Sequence, residues 1–337
     1  MRKQINIIII WIALVIYSLG LSSSVAFAAS SPAQGANPTD NGQALEIGPP
    51  LIYLNVNPGQ TVNAQIDIRD ISSGDLIVSG QVNDFVAAGE SGTPKILLYN
   101  DTNDPYTLKN WISPLPNLLL SPEQIKTLTV TLNVPTNASP GGHYGVVRFT
   151  ATPPSLKGNG VSLSASLGVL LLVTVSGKIT NQLSVNQFSV NDGGNSGSFF
   201  ESGPLNFVEK FKNTGNVQEQ PVGQVSIFDM FNKKLASVNV NLPPGNILPQ
   251  SIRKFEEPLN SAVIGNKALF GRYTANLKVI YGPSKQVLTS HITFWVIPYL
   301  LIGALIIVLI GGFFVLRYAI RRYNRYILSQ GNKSSSK

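Results

Sequence analysis

One stretch, from Phe294 to Leu316, constrains this chain more than any other, because it holds twenty-three residues without a charge and is followed at once by Arg317. A helix of that length spans about 35 Å, since each residue adds about 1.5 Å, and the hydrocarbon core of a membrane is about 30 Å thick. We therefore predict a single transmembrane helix over 294–316, with Trp295 anchoring it at the membrane interface. The chain before Phe294 must then fold outside the hydrocarbon.

The tail that follows this stretch is basic and contains no acid. Its positive charges are Arg317, Arg321, Arg322, Arg325, Lys333 and Lys337. Under the positive-inside rule the tail, 317–337, lies in the cytoplasm, so the body lies outside the plasma membrane. The four arginines are interleaved with tyrosines beside the span, a pattern typical of an interfacial belt that contacts anionic lipid. We expect these arginines to be membrane anchors.

The N-terminus has the layout of a secretory signal. Arg2 and Lys3 precede an apolar run from Ile7 to Leu21, and Ala26-Phe27-Ala28 then offers the small residues that signal peptidase reads. We predict cleavage before Ala29, so that 1–28 is the signal peptide; an uncleaved anchor is the alternative. With cleavage, the mature protein is a single-pass type I membrane protein.

The net charge of +8 does not indicate nucleic-acid binding, because it belongs to the two ends of the chain. Of the 25 basic residues, two lie in the signal and six in the tail, which leaves the body as many bases as the 17 acids between Asp40 and Glu257. The chain has no cysteine, so its domains are stabilised by their cores without disulfides. About 250 residues lie between the two apolar ends, enough for two domains of ordinary size.

Beyond a Ser/Pro/Gly/Asn-rich leader, 29–44, which we expect to be disordered, the body shows a strand pattern. A period of two with one apolar face is what a sheet packed on a second sheet requires, and the apolar stretch Gly168–Val173 indicates a strand buried on both faces. Turn residues separate the runs at intervals typical of β-sandwiches. The predicted fold class is all-β. Apolar and polar residues alternate over 62–69, 127–134, 161–167 and 273–279.

A weak internal repeat divides this body into two copies of one plan. Strand, tight turn and strand occur over 65–82 and again over 205–228. We place the boundary near Gly177 to Gln182 and predict two immunoglobulin-like β-sandwich domains in tandem, 45–178 and 179–293.

Each copy also contains a glycine-X-tyrosine sequence that opens a late strand, Gly142-His143-Tyr144 in the first and Gly271-Arg272-Tyr273 in the second. A tyrosine at that place suits a tyrosine corner, in which the hydroxyl bonds back to the backbone a few residues upstream. We therefore predict structural corners at Tyr144 and Tyr273.

Little in the sequence indicates catalysis or metal binding. The chain has two histidines, His143 and His291, and no serine or acid has a spacing that couples it to either. Residues 101–104 begin like a calcium loop, but Pro105 and Tyr106 stand where a ligand and the turn glycine belong, so solvated turn residues are favoured over calcium. We expect no enzyme, no metal site and no cofactor.

The segment from Asp84 to Leu120 is the best candidate for a binding site. A connection of more than about 15 residues in a compact domain is usually functional or disordered, and this one is rich in aromatic residues and stiffened by prolines. Aromatic rings on a rigid loop offer flat faces for sugar rings or for a protein partner. The alternative is that Trp111 and its neighbours fold back as an extra hairpin that caps the core. The candidate binding residues are Phe85, Tyr99, Tyr106 and Trp111, together with the polar rings His143 and Tyr144.

An ordered series of short stretches runs through both copies. In the first copy they are Asn57-Pro58-Gly59-Gln60-Thr61, Val82-Asn83-Asp84-Phe85, Gly92-Thr93-Pro94-Lys95, Asn110-Trp111-Ile112 and Pro140-Gly141-Gly142-His143-Tyr144-Gly145. In the second they are Asn213-Thr214-Gly215-Asn216-Val217, Phe270-Gly271-Arg272-Tyr273 and Phe294-Trp295-Val296-Ile297-Pro298. The series, with its layout of signal, two domains and span, resembles the bacterial cell-surface WxL-interacting protein family.

That resemblance implies an envelope protein whose first domain contacts peptidoglycan and whose second domain contacts a WxL-type surface protein. Because the body is neutral, recognition has to rest on shape, stacking and hydrogen bonds rather than on charge. We predict a membrane-anchored envelope binding protein that binds peptidoglycan, a surface protein or both. The alternative is a structural stalk or assembly component that pairs with other envelope proteins through sheet edges.

Overall fold

The computed structural model describes residues 45–98, 105–153, 166–265 and 269–334. The predicted signal peptide, the leader, Tyr99, the aspartate-containing loop at 101–104 and the start of the alternating run at 161 lie outside these described residues. Within them the chain forms four β-sheets followed by one long C-terminal helix. The predicted all-β body is confirmed.

The first sandwich packs a three-stranded sheet against a six-stranded sheet. Its strands are β1 (Leu45–Gly48), β2 (Leu51–Val56), β3 (Thr61–Asp70), β4 (Leu76–Ala88), β5 (Thr93–Leu97), β6 (Leu118–Leu120), β7 (Ile125–Asn133), β8 (Gly141–Thr152) and β9 (Ser166–Val175). The strand order is β1-β3-β7 in one sheet and β2-β9-β8-β4-β5 in the other, where β6 also pairs with β4. Neighbours are antiparallel except β2 and β9, which run parallel.

The second sandwich packs a four-stranded sheet against a five-stranded one. Its strands are β10 (Leu183–Asp192), β11 (Asn195–Gly197), β12 (Phe199–Phe200), β13 (Leu205–Asn213), β14 (Val222–Phe228), β15 (Lys234–Val240), β16 (Ile252–Leu259), β17 (Gly271–Tyr281) and β18 (Gln286–Val296). The orders are β11-β10-β13-β16 and β12-β18-β17-β14-β15, with β12 and β18 parallel. A one-turn helix, α1 (Ser261–Ile264), connects β16 to β17.

The two sandwiches repeat one strand order, and both are immunoglobulin-like. In the first, β3 lies between β1 and β7 and the chain then crosses to β4 in the facing sheet. In the second, β13 lies between β10 and β16 and the chain crosses to β14. The last strand of each copy, β9 or β18, pairs in parallel with a short strand from the start of that copy. The internal repeat predicted over 65–82 and 205–228 corresponds to these two crossings.

The alternating sequence pattern builds the cores. β3 buries Ala64, Ile66 and Ile68, and β17 buries every second residue from Tyr273 to Val279. Each strand thus places one apolar face against the opposite sheet, as its period of two requires. The first copy ends with β9 and the second begins with β10, on either side of the predicted boundary at 177–182.

The long C-terminal helix, α2 (Tyr299–Ser334), begins later than the sequence predicted. Phe294 and Val296, expected inside the span, are instead buried in the core of the second sandwich as the end of β18. The prediction of a helix from Phe294 is wrong because a buried strand and a membrane span are equally apolar. Pro298 separates the two elements, since the residue before a proline avoids the helical region. From Tyr299 to Arg325 the helix is long and apolar enough to cross a membrane.

Candidate functional site: the interdomain cleft

The six-stranded sheet of the first sandwich is apolar on both faces. In β9, Leu171 and Val173 belong to the sandwich core, whereas Leu172 lies in a second cluster with Phe85 and Tyr144. This confirms the prediction of a strand buried on both sides. Residues of the second sandwich pack against the second cluster, so the outer face of the sheet is one wall of a cleft between the domains.

The segment from 84 to 120 closes one side of this wall. β4 continues through Ala88 and turns back into β5, and after a 3₁₀ turn (Lys109–Trp111) the chain returns to β4 as β6. The hairpin alternative is therefore the observed one for the described part of the segment. Asp84 anchors it: its buried carboxylate accepts hydrogen bonds from Thr107 Oγ1 at 2.5 Å and from the backbone N–H groups of residues 108 and 109 at 2.8 Å each.

Trp111 and His143 are core residues of the first sandwich. Trp111 is 9% exposed, and its ring lies 4.3 Å, centroid to centroid, from the ring of His143. His143 is buried, with Nδ1 3.1 Å from the carbonyl oxygen of Thr107 and Nε2 2.9 Å from that of Ser139. Both predicted binding residues therefore hold the 84–120 segment in place and present no free face to a ligand.

Three of the candidate binding residues, Phe85, Tyr106 and Tyr144, pack against one another. The Tyr144 ring lies 6.0 Å from Phe85 and 6.2 Å from Tyr106, and the Tyr144 N–H donates to the Tyr106 carbonyl at 2.9 Å. Phe85 and Tyr144 are buried and Tyr106 is half-buried. Among the described candidates, only Tyr106 keeps a partly accessible ring.

The two predicted tyrosine corners have different outcomes. The Tyr273 hydroxyl donates to the carbonyl of Phe270 at 3.2 Å and accepts from its N–H at 3.0 Å, which confirms that corner. The Tyr144 hydroxyl instead donates to Gln218 Oε1 in the second sandwich at 2.9 Å, so that prediction is wrong. Burial raises the pKa of Tyr144, which keeps its hydroxyl protonated for this bond. Tyr144 links the two domains.

Further hydrogen bonds hold the domains together on both sides of the cleft. The Gly142 N–H donates to the Asn216 carbonyl at 2.7 Å, and Asn216 Nδ2 donates to the Pro140 carbonyl at 3.1 Å. The Tyr53 hydroxyl accepts from Gln220 Nε2 and Asn246 Nδ2, both at 2.8 Å. The junction thus fixes the orientation of one cleft wall against the other.

The turn between β4 and β5 completes the junction. Glu90 forms a 2.7 Å ion pair with Lys210 Nζ, and its carbonyl accepts from the Lys254 N–H at 2.8 Å. Beside it, Arg253 lies between two glycines, one from each domain. A Cβ at Gly92 would lie 2.3 Å from the guanidinium carbon of Arg253, and one at Gly245 would lie 2.5 Å from Nη1. A side chain at either position would require the Arg253 guanidinium to move, and Gly92 also has a φ of 77°, which favours glycine.

The cleft encloses a cavity of about 220 Å³ with a mostly apolar lining. Arg253 Nη1 donates to the Asn246 carbonyl at 2.8 Å, but Arg253 Nε and Asn246 Oδ1 are buried without a hydrogen-bond partner among the described residues. Burial lowers the pKa of Arg253, although a guanidinium keeps its charge in proteins. The apolar lining consists of Leu51, Phe85, Ala87, Pro94, Leu170, Leu172, Pro244, Leu248 and Ile252.

Arg253 and Asn246 line the cleft beside its apolar surface, and each carries one buried polar atom, an N–H donor and a carbonyl acceptor, without a hydrogen-bond partner among the described residues. A peptide group carries the matching acceptor and donor, and an apolar side chain fits the lining. No sequence pattern marks Arg253 or Asn246, because one lies on β16 and the other in the loop before it, and the facing wall of the cleft comes from the first copy. Among the described residues, no group of three or more His, Asp or Glu side chains could hold a metal ion.

No protein-family model matches the chain, and no curated protein matches its sequence. Similar solved structures include the YadV chaperone, with 12% identity and a TM-score of 0.35 over 74% of this chain and 99% of that one. The class 5 fimbriae chaperone CfaA has 12% identity and a TM-score of 0.37 over 74% and 98% of the two chains. The E. coli chaperone DraB has 15% identity and a TM-score of 0.34 over 75% and 97%. Likeness at this level carries no functional argument.

Proposed function

We propose that this chain is a non-enzymatic, membrane-anchored envelope protein that takes an extended segment of a surface protein into its interdomain cleft. The observation that carries the proposal is the pair of unpartnered buried atoms, Arg253 Nε and Asn246 Oδ1, in an apolar cleft. The apolar part of helix α2 supplies the anchor, and the basic C-terminal part of the chain, 317–337, lies in the cytoplasm under the positive-inside rule.

A ligand in the cleft can restore hydrogen bonds that Arg253 Nε and Asn246 Oδ1 lack. A buried donor or acceptor without a partner costs about 1–3 kcal/mol. A peptide group that displaces the side chains covering Arg253 Nε and Asn246 Oδ1 can bond to these two atoms. An apolar side chain beside it adds about 25 cal/mol per Å² of area removed from water. The contacts of Tyr144 and Glu90 between the domains fix the two cleft walls in place before a ligand binds. This preorganisation lowers the entropy cost of binding.

Peptidoglycan, which the family resemblance implies for the first domain, is the competing ligand. Sugar rings stack on exposed aromatic faces, and Phe85, Trp111 and Tyr144 have theirs covered. This favours a polypeptide over a glycan as the cleft ligand. Muramidase digestion of a crosslinked adduct distinguishes the two ligands.

A crosslinking experiment in intact cells tests the proposal. A photoreactive phenylalanine replaces Thr93, which lines the cleft and is exposed, and a control chain carries it at the exposed Asn239 on β15. We expect a light-dependent protein adduct from position 93 that muramidase digestion does not remove. Ala87→Trp, which fills the cavity, abolishes the adduct, and Gln81→Trp on an exposed position of the same strand does not. An adduct lost on muramidase digestion identifies glycan instead, and equal adducts from 93 and 239 contradict a cleft site.

Membrane orientation has an independent test, because the chain has no cysteine. Thr289→Cys lies on an exposed position of β18, and Ser329→Cys lies in the tail. We expect a membrane-impermeant maleimide to label the first in intact cells and the second only after lysis. The reverse pattern contradicts the proposed topology.

A further inference from the structure

One end of the second sandwich exposes five large apolar side chains. Phe231 is 83% exposed, Phe199 73% and Phe270 60%, and Met230 and Trp295 are exposed beside them. Scattered exposed apolar residues are ordinary, but a group gathered at one end of a domain indicates a contact surface. We call these five residues the apolar collar.

Strand register places the collar at a single end. Phe199 is the direct neighbour of Trp295 in the parallel pair β12–β18. Gly271 opposes Val296 at the start of β17, so Phe270 precedes that same end. The turn between β14 and β15 begins after residue 228, which opposes residue 274 near the start of β17. The opposite end of β17, at the turn near Gly282, packs beside Asn181 at the domain junction.

The collar is held in a defined arrangement. Asp229 Oδ1 accepts from the N–H groups of Phe231 and Lys233, both at 2.9 Å, and so fixes the turn that carries Phe231 at its tip. The rings of Phe199 and Trp295 are stacked, with centroids 6.4 Å apart and planes at 7°. The Met230 methyl group covers Gly271, where a Cβ would lie 2.0 Å from it.

The collar is also continuous with helix α2. The Ile297 N–H still donates to the Phe200 carbonyl at 2.8 Å, so the sheet extends to residue 297. Only Pro298 separates it from the first helical residue, Tyr299. At no more than about 3.3–3.6 Å per residue, the four steps from Trp295 to Tyr299 reach at most about 14 Å. A helix that enters a bilayer at Tyr299 therefore brings this end of the domain to the headgroup region.

The charges around the collar favour an anionic surface. Lys233, Lys234 and Arg272 are exposed at the same end. Of the acids at this end, Asp229 and Glu201 are half-buried, and Asp229 is engaged in its turn. Asp192, at the end of β10, is exposed, so the three exposed bases outnumber the exposed acid among the described residues. Aromatic side chains flanked by bases are the combination that interfacial membrane contacts use.

We propose that the apolar collar is a second membrane contact, in which Phe199, Met230, Phe231, Phe270 and Trp295 insert into the interfacial region of the leaflet that the body faces. This inference rests on the proposed membrane anchoring by α2. The collar holds the second sandwich against the bilayer, so the interdomain cleft stands at a fixed height above it. The occupant is lipid, and a protein or second copy of the chain covering the collar is an outcome that the test can return.

The test reads the depth of single labelled cysteines in the full chain. The chain is reconstituted into phosphatidylcholine and phosphatidylglycerol vesicles, with the dye NBD at Leu309→Cys in α2, at Phe231→Cys in the collar, or at Lys278→Cys on the exposed side of β17. Two spin-labelled lipids are used: one labelled near the headgroup end of the acyl chain, which quenches dyes at that shallow depth, and one labelled near the methyl end, which quenches dyes near the bilayer centre. Leu309 is expected at the second depth, because ten helical residues place it about 15 Å below Tyr299. We expect positions 309 and 231 to lose most of their emission relative to unlabelled vesicles and position 278 to keep it.

The other possible results distinguish a failure of the collar proposal from a failure of the membrane anchor. Quenching at 309 with position 231 behaving like 278 overturns the collar and leaves the anchor intact. No quenching at 309 overturns the anchor and the collar with it. A blue-shifted but unquenched dye at 231 means that protein covers the collar and overturns the lipid proposal.

A second variant excludes insertion of the dye by itself. Phe199→Ser with Phe270→Ser, in the chain labelled at 231, removes two collar side chains without touching the turn that Asp229 fixes. We expect quenching at 231 to fall several-fold while quenching at 309 is unchanged. Unchanged quenching at 231 contradicts docking by the collar.

Discussion

The two sandwiches share a strand order and differ in what each adds to it. β4 in the first copy has 13 residues, whereas its counterpart β14 in the second has 7. The additional length of β4 pairs with β5. It carries the buried Asp84 and also Phe85 and Ala87, which form part of the cleft wall. The second copy has no such extension in the described residues, and its distinctive feature is the collar beside α2. Alternating apolar residues thus specify the common plan, and functional surfaces arise where the copies diverge.

A buried acid in each copy shows the difference at atomic scale. Asp84 in the first copy accepts three hydrogen bonds from the 84–120 segment. Glu209 in the second is fully buried on β13, and neither carboxyl oxygen has a well-formed hydrogen bond to another described residue. A buried acid with donors stabilises structure, whereas one without donors is a cost unless it holds a proton. The comparison predicts opposite effects of replacing them.

The largest expected effect comes from Asp84→Ala. It leaves the buried N–H of Leu108 and its neighbour at residue 109 without acceptors, so we expect the free energy of unfolding of the first sandwich to fall by about 3–4 kcal/mol. Denaturant unfolding in micelles, followed by the fluorescence of Trp111, measures it. Asp75→Ala, at an exposed position, serves as the control and is expected to change stability by less than about 0.5 kcal/mol. Similar losses of stability in Asp84→Ala and Asp75→Ala would contradict the claim that the hydrogen bonds of Asp84 stabilise the first sandwich.

Glu209 is expected to make the second sandwich pH-sensitive. Burial, followed by the charge of Glu257, raises the pKa of Glu209 from 4.5 to about 8. The folded state therefore holds a proton that the unfolded chain releases. Stability is greatest below the unfolded pKa, falls as pH rises through the window from 4.5 to about 8, and is constant above it.

Glu209→Gln tests this directly, because the amide cannot ionise. We expect the variant to be more stable than the native chain above about pH 8, by about 2 kcal/mol, with a flattened pH profile. Trp295 fluorescence reports unfolding of this copy. Glu256→Gln, an exposed neighbour on β16, is the control and should leave the profile in place. A profile that keeps its slope in Glu209→Gln would show that another group causes it.

The smallest expected effects come from the tyrosines of the two glycine-X-tyrosine sequences, Tyr273 and Tyr144. Tyr273→Phe removes a corner within one domain, so we expect the second sandwich to lose about 1 kcal/mol. Tyr144→Phe removes only the bond to Gln218 between domains. We expect it to leave the unfolding of each copy nearly unchanged while proteolysis of the 176–182 connection becomes faster. Equal loss of stability in both variants would mean that Tyr144 also stabilises its own sandwich.

Sequence reasoning predicted what depends on local pattern. The alternation in β3 and β17, the doubly buried β9 and the corner at Tyr273 follow from residue spacing within one element. Tyr144 has the same local motif, but its hydroxyl bonds to a residue 74 positions away, which no motif encodes. The start of α2 was misplaced because hydropathy does not distinguish Phe294 in a protein core from a residue in lipid. The role of Arg253 and Asn246 could not be predicted from local pattern, because the cleft they line forms only where the two copies pack together.

The central claim is that Arg253 Nε binds an incoming peptide group, and Arg253→Lys tests it most directly. Lysine keeps the charge but places a methylene group where Nε stands, so the donor is lost. We expect the light-dependent adduct from position 93 to fall about tenfold, equivalent to about 1.4 kcal/mol, while Lys212→Met, at an exposed position of β13, leaves it unchanged. An undiminished adduct in Arg253→Lys, with the chain still correctly labelled at Thr289→Cys, would contradict the account.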